Sequence, residues 1–86
     1  MKARVAIDVM LKEGILDPQG KTVEESLPSL GFGGVSGVRI GKHIALEVEA
    51  TSREELTQRI EEMSRRFLSN PVIEDFTYRI DEDGSA

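Results

Sequence analysis

Few side chains in this sequence have the chemistry that catalysis needs. His43 is the only histidine and the only side chain that ordinarily titrates near neutral pH, so it would have to be the base for any Ser or Thr nucleophile. It follows a predicted tight turn at the start of a strand, where a solvated structural role is favoured. Glu74 and Asp75 are adjacent carboxylates, but neighbours in a strand point to opposite faces and cannot share a substrate proton. We therefore predict no catalytic residues in this chain.

Two stretches could bind an anion through backbone N–H groups. The glycines between residues 31 and 34 resemble a phosphate loop only in composition, because such loops precede a helix and these follow one. The segment DPQG at 17–20 opens a predicted helix, whose first N–H groups favour a carboxylate. Asp17 is placed to occupy those groups itself as the N-cap, with Pro18 at the first helical position. We interpret this segment as a helix start whose backbone and side chains can meet a partner.

Composition excludes several classes of function. The 86 residues include 16 acidic and 11 basic side chains, for a formal charge of -5, which disfavours non-specific binding to nucleic acid or anionic membranes. The lack of cysteine excludes disulfides and thiolate zinc sites, and one histidine cannot make a histidine-rich metal site. No apolar run approaches the length of a membrane span or a signal peptide, so a cytoplasmic location is expected. Oligomerisation is the remaining common way to stabilise so small a scaffold.

The periodicity of apolar residues predicts four strands and two helices. Their bounds are 3–12 (strand), 17–30 (helix), 35–40 (strand), 43–50 (strand), 52–69 (helix) and 72–80 (strand). Gly41-Lys42 suits a type II′ hairpin turn between the two middle strands. Ser52 and Glu55 have the spacing of a capping box at the second helix, and Pro28 should kink or tighten the first.

The same periodicity assigns a core face to each element. The residues predicted to face the core are Ala3, Val5, Ile7, Val9, Leu11, Val23, Leu27, Leu30, Ile44, Leu46, Val48, Leu56, Ile60, Met63, Phe67, Val72, Phe76, Tyr78 and Ile80. The other face of the sheet mixes small, apolar and charged residues, so a partner could cover it. Asp8 lies on that face, where an exposed or interfacial ion pair with Arg4 is expected.

The order βαββαβ predicts an α+β fold, a ferredoxin-like sandwich with a four-stranded antiparallel sheet and two helices on one face. Residues 1–80 form one domain in this interpretation, and 81–86 a polar, frayed tail. An RNA-recognition module is disfavoured because the central strands lack aromatic side chains. An acylphosphatase-like enzyme is disfavoured because the loop from residue 13 to 20 has no arginine. A regulatory amino-acid-binding module of the ACT type shares the element order and stays open as an alternative.

Three short segments together resemble one family. LDPQG at 16–20, VRIGK at 38–42 and NPVIEDF at 70–76 resemble the signature segments of the small PurS-type subunit of phosphoribosylformylglycinamidine synthase. The resemblance implies a non-catalytic subunit in purine biosynthesis. It implies association with itself, as a dimer or tetramer, and with a large synthetase subunit and a glutaminase subunit, so that ammonia passes between those two. ATP and Mg would belong to the large subunit, and this chain alone would bind no cofactor.

The resemblance also indicates which residues could contact partners. The candidates are Asp17, Pro18, Gln19, Gly20, Arg39, Gly41, Lys42, Asn70 and Pro71. Arg39 and Lys42 could donate to a partner carboxylate. A side chain at Gly20 would hold another backbone away, so we expect Gly20→Leu to leave the isolated fold largely intact and to weaken the complex. Asn70 and Pro71 would fix the junction into the last strand.

Overall fold

The computed structural model describes residues 1–81. Its elements are β1 (Lys2–Leu11), α1 (Pro18–Ser26), a 3-10 turn (Pro28–Leu30), β2 (Lys42–Glu49), α2 (Arg53–Met63), a π-helical turn (Ser64–Leu68) and β3 (Glu74–Asp81). The three strands form one antiparallel sheet in the order β2-β1-β3. The α+β class predicted from the sequence is confirmed. Of the predicted tail, Asp81 is the last residue of β3, and residues 82–86 lie outside the described residues.

The predicted four-stranded sheet is wrong for this chain, because residues 35–40 pair with none of the described strands. The II′ turn that would fold this segment back onto β2 does not form. Gly41 does not have the positive φ that such a turn requires, and the chain makes no turn or bend between residues 35 and 41. The segment instead continues directly into β2.

The core lies between the sheet and α2. On the central strand β1, Ala3, Val5, Ile7 and Val9 alternate inward and are almost completely buried, as their period of two predicts. The antiparallel register places Val48, Leu46 and Ile44 of β2 and Ile80, Tyr78 and Phe76 of β3 on the same face. Leu56 and Ile60 of α2 cover this face and are fully buried. Each such aliphatic side chain contributes about 1.5–3 kcal/mol to folding.

The start of α2 confirms the predicted cap. The Ser52 hydroxyl accepts a hydrogen bond from the Glu55 N–H at 3.1 Å. The Glu55 carboxylate reaches back to the N–H of Thr51 at 3.0 Å, one residue earlier than in the usual capping box, and also accepts from the Thr51 hydroxyl. The Thr51 backbone hydrogen bond is the main reason that the pKa of Glu55 is lowered.

The end of α2 departs from the predicted stripe. Met63 is half-buried as expected, but Phe67 is 87% exposed and Leu68 packs against the core instead. The reason is the π-helical turn, in which the Ser69 N–H donates to the Ser64 carbonyl, five residues back, at 2.9 Å. A π turn adds one residue to the helical period and rotates the following side chains around the axis.

The first helix does not pack against the sheet. Val23 is 39% exposed and Leu30 is 68% exposed, so the buried stripe predicted for α1 is wrong, although Leu27 is half-buried. The helix tightens into a 3-10 turn at Pro28, as the missing N–H predicts. Because β1 ends and β2 begins at the same end of the sheet, residues 12–41 project from that end. We call residues 12–41 the arm.

The arm makes the molecule long and thin. The Cα positions span 52 × 31 × 14 Å with a radius of gyration of 16.6 Å, whereas a compact domain of this size has about 12 Å. The last strand is also shorter than predicted, because β3 begins at Glu74 and leaves Val72, which was assigned to the core, 78% exposed.

Candidate functional site

The three segments that resemble the family signature meet at one end of the sheet. Segment 38–42 enters β2 there, 16–20 opens α1 after β1 has ended, and 70–76 enters β3. We call these three segments the convergent end. Five of the nine candidates, Asp17, Pro18, Gln19, Gly41 and Lys42, line one shallow groove of about 250 Å³ there, together with Val9, Leu11, Ile40 and Glu74.

Asp17 ties two of the three segments together. One oxygen of its carboxylate accepts from the Gly20 N–H at 2.9 Å, which caps α1 as predicted. The other accepts from the Ile40 N–H at 2.8 Å. These two backbone hydrogen bonds, with a smaller effect of the nearby Arg39 guanidinium, lower the pKa of Asp17. Asp17 is therefore both a helix cap and a clamp on the segment that leads into β2.

Gly20 is small because the chain's own backbone passes close to it. It is the buried residue of α1, and a Cβ here would overlap the Val38 carbonyl oxygen. The Val38 N–H donates to the Glu24 carboxylate at 3.0 Å, so segment 38–40 lies along the first turns of α1. The expectation that Gly20→Leu would leave the isolated fold intact is therefore wrong, since a side chain would push this segment away from the helix.

The cations of segment 38–42 bind carbonyl groups of this chain. The Arg39 guanidinium donates to the Leu11 carbonyl, and the Lys42 ammonium donates to the Leu68 carbonyl at 3.3 Å. Both side chains remain exposed. Gly41 crosses the end of β1 so closely that a Cβ would overlap the Met10 sulfur and the Val9 carbonyl.

Asn70 organises the turn before β3. Its side-chain oxygen accepts from the Val72 N–H at 3.1 Å, and its N–H donates to the Glu74 carboxylate at 2.7 Å. Its carbonyl accepts from the Glu74 N–H at 2.7 Å. Pro71 lies exposed within this turn. The junction connects to the groove through Glu74.

Sequence reasoning missed a contact on the uncovered face of the sheet. His43 Nδ1 lies 2.6 Å from a carboxylate oxygen of Asp8, which was expected to pair with Arg4. The antiparallel register places His43 opposite Asp8 on one side and Thr77 opposite it on the other. The carboxylate of Asp8 therefore lies between the imidazole and the hydroxyl. In a catalytic triad the imidazole lies between the acid and the nucleophile, so these three residues do not have the order of a triad. Only the strand register, which the sequence does not show, could have predicted the pair.

Residues 1–81 contain neither a metal-binding cluster nor a membrane-spanning helix. Among these residues there is no group of three or more His, Cys, Asp or Glu side chains that could hold a metal ion. None of the helices described is long and apolar enough to cross a membrane.

Comparison with known proteins gives one consistent family. The family described as PurS, phosphoribosylformylglycinamidine (FGAM) synthase, matches residues 4–82. Phosphoribosylformylglycinamidine synthase subunit PurS of Bacillus subtilis is 42% identical over 79 residues, which cover 92% of this chain and 93% of the relative.

Solved structures agree with the sequence match. A crystal structure of B. subtilis PurS superposes with a TM-score of 0.85 at 41% identity, covering 95% of this chain and 100% of that one. A chain in the structure of PurLQS from Thermotoga maritima superposes with a TM-score of 0.86 at 33% identity, covering 94% of this chain and 99% of that one.

Proposed function

We propose that this chain, which belongs to the PurS family of phosphoribosylformylglycinamidine synthase subunits, is the small, non-catalytic subunit of that synthase in purine biosynthesis. The synthase is a glutamine-dependent ligase, and its reacting groups belong to the larger chains. The family match favours this function over the ACT-like amino-acid-binding module. The pathway also supports a cytoplasmic location.

The partners follow from the same membership. The chain associates with further copies of itself and with the large synthetase and the glutaminase subunits, as the PurLQS structure from T. maritima supports. In this assembly it helps ammonia pass from the glutaminase to the synthetase, which binds ATP and Mg. Residues 1–80 act as one domain in this role.

The convergent end is the surface that we assign to the partner subunits. It combines an exposed ammonium at Lys42, an exposed guanidinium at Arg39 and the groove that Lys42 lines together with the start of α1. The same segments also expose apolar side chains, of which Leu16 is 72% exposed and Val72 is 78% exposed. Exposed apolar side chains grouped with charged ones are typical of a protein interface. That all three signature-like segments meet here is the observation that carries this assignment.

Reconstitution of the synthase tests the proposed function. The purified chain is mixed with the synthetase and glutaminase subunits, and product formation is measured with glutamine and, separately, with an ammonium salt. Omission of the chain should abolish most of the glutamine-dependent activity and affect the ammonia-dependent activity much less. Equal glutamine-dependent rates with and without the chain would contradict the proposal.

A charge reversal tests the assigned surface. Lys42→Glu should raise the concentration of chain needed for half-maximal glutamine-dependent activity by about tenfold, a loss of about 1.4 kcal/mol. Arg66→Glu is the matched control, because Arg66 lies exposed on the π-helical turn and pairs with Glu62 at 2.8 Å. If both variants behave like the unmodified chain, the partner surface lies elsewhere.

A further inference from the structure

We propose that the uncovered face of the sheet binds a sugar or nucleoside monophosphate, whose phosphate is held by Arg4 and Arg79. The site lies toward the N-terminal end of β1, roughly 20 Å along the strand from its other end at Leu11. It is therefore separate from the convergent end, to which the partner subunits are assigned. The proposed function gives this site no role.

Two alanines make a depression on this face. The register places Ala6 of β1 directly opposite Ala45 of β2, and both point away from the core because the side chains alternate along each strand. The depression is a cavity of about 680 Å³, and small-molecule sites typically have about 300–1,000 Å³. Its floor is small and apolar, and its rim consists of four charged side chains, Arg4, Glu47, Arg79 and Asp81.

The two arginines of the rim can reach the same anion. Arg79 lies opposite Ala6, two residues along β1 from Arg4, so the two arginines are diagonal neighbours on one face. Diagonal neighbours stand about 7–8 Å apart, a separation that two long side chains can close around one ligand. Both arginines are exposed. Guanidinium groups bind phosphate through paired N–H···O hydrogen bonds, which are stronger than those between neutral groups.

These arginines differ from the other basic side chains of the same face. Three other basic side chains there each lie within 4 Å of a carboxylate, in the pairs Lys2–Glu47, His43–Asp8 and Lys12–Asp75. Among residues 1–81, neither Arg4 nor Arg79 has such an ion pair, although Glu47 lies directly opposite Arg4. The two guanidinium groups without a carboxylate therefore border the same cavity.

The carboxylates of the rim favour a hydroxylated ester over inorganic phosphate. Glu47 lies 3.6 Å from the Lys2 ammonium, and ionised carboxylates accept hydrogen bonds from hydroxyl groups but repel a phosphate. A ligand with a phosphate at one end and hydroxyl groups at the other satisfies both kinds of side chain. The apolar surface of a sugar or base would cover the alanine floor. Sugar and nucleoside monophosphates combine these features.

Titration of the full chain with adenosine monophosphate (AMP) tests the site. The amide signals of Ala6 and Ala45, followed by NMR, should shift and reach saturation. Inorganic phosphate should bind about tenfold more weakly, because it brings no sugar hydroxyl to the carboxylates and leaves the alanine floor uncovered. Adenosine, which lacks the phosphate, should cause no saturable shift.

Substitutions on the rim and the floor separate charge from shape. Arg4→Ala and Arg79→Ala should each weaken AMP binding by about tenfold, the loss expected for a hydrogen bond between charged groups. Arg66→Ala is the matched control, because it removes the same charge from a side chain that pairs with Glu62 on the π-helical turn. Ala45→Leu keeps the charge, fills the depression and should abolish binding. Circular dichroism of each variant checks that the fold persists.

Four results would overturn this inference. They are the absence of saturable shifts with AMP, an equal loss of binding in Arg66→Ala, unchanged binding in Ala45→Leu, and inorganic phosphate that binds as tightly as AMP. A different pattern would assign the face to a partner subunit and also overturn it. In that case Arg4→Ala and Arg79→Ala would leave AMP binding unchanged and would raise the concentration of chain needed for half-maximal glutamine-dependent activity.

Discussion

Asp17 and Gly20 show how single residues hold the arm together. Asp17 accepts from the backbone of Ile40, 23 residues further along the chain, and Gly20 leaves room for the Val38 carbonyl. A helix cap alone requires neither long-range contact. The residues that the family resemblance selects therefore shape the arm, as well as standing at the candidate interface.

Gly20→Ala should loosen segment 38–40. The new methyl group overlaps the Val38 carbonyl, and such overpacking costs about 1–3 kcal/mol. We expect faster hydrogen exchange of the Val38 and Ile40 amides, measured by NMR. Gly33→Ala is the control, because a Cβ at Gly33 meets nothing within 4 Å and its φ is not positive. Equal exchange rates in the two variants would contradict this account of Gly20.

Acid should release the clamp at Asp17. Its pKa is lowered in the folded arm, so the stabilisation is fully present above the ordinary value of about 3.9 and is lost as the pH falls through the lowered pKa. The amide shifts of Gly20 and Ile40, followed by NMR from pH ~6 to ~2, should change together with a midpoint below that ordinary value. Asp17→Asn should remove the transition. A midpoint at or above the ordinary value would mean that the two hydrogen bonds do not stabilise the carboxylate.

At the scale of elements, the π-helical turn decides how α2 ends. It moves Leu68 into the core position expected for Phe67 and leaves the Ser64 hydroxyl buried without a hydrogen-bond partner among the described residues. The hydroxyl of Ser69 is buried too, but it donates to the Ser64 carbonyl at 2.7 Å. Two buried serines five residues apart therefore differ in whether their hydroxyls are satisfied.

The two serines should respond oppositely to the same substitution. Ser64→Ala removes an unsatisfied buried hydroxyl and should raise the free energy of unfolding by about 1 kcal/mol. Ser69→Ala loses a buried hydrogen bond and should lower it by about 1 kcal/mol. Urea unfolding with an unchanged m-value measures both. A loss of stability in Ser64→Ala would show that its hydroxyl makes a useful bond.

At the scale of the whole molecule, the projecting arm is the main feature. A small domain with a short core would be expected to fold its first helix onto the sheet, yet α1 stays off it with apolar side chains exposed. Exposed apolar side chains of this kind contribute to the stability of the protein only when another chain buries them. The elongated shape and the proposed function in an assembly therefore agree.

Small-angle scattering of the monomeric chain should show the arm extended. At a concentration where sedimentation finds a monomer, we expect a radius of gyration near 16.6 Å. A compact domain of this length would give about 12 Å. A value near the compact one would mean that the arm folds back onto its own sheet when no second copy is present.

Sequence alone determined the features that depend on neighbours along the chain. The alternation of β1, the caps at Asp17 and Ser52 and the tightening at Pro28 all rest on residues within about one turn or a few strand positions of each other, and the structure confirms them. The three signature-like segments were also sufficient to identify the family. They could not show that all three meet at one end of the sheet.

Tertiary structure decided the rest. An apolar stripe shows that one face of an element is to be buried, but it does not show which element, or which chain, buries it. The pattern therefore placed segment 35–40 and α1 in a four-stranded sandwich, which this chain does not complete by itself. The pairing of Asp8 with His43 depends on strand register, and the exposure of Phe67 depends on a single added residue in the helical period. Both are set by contacts between residues or turns that local periodicity does not encode.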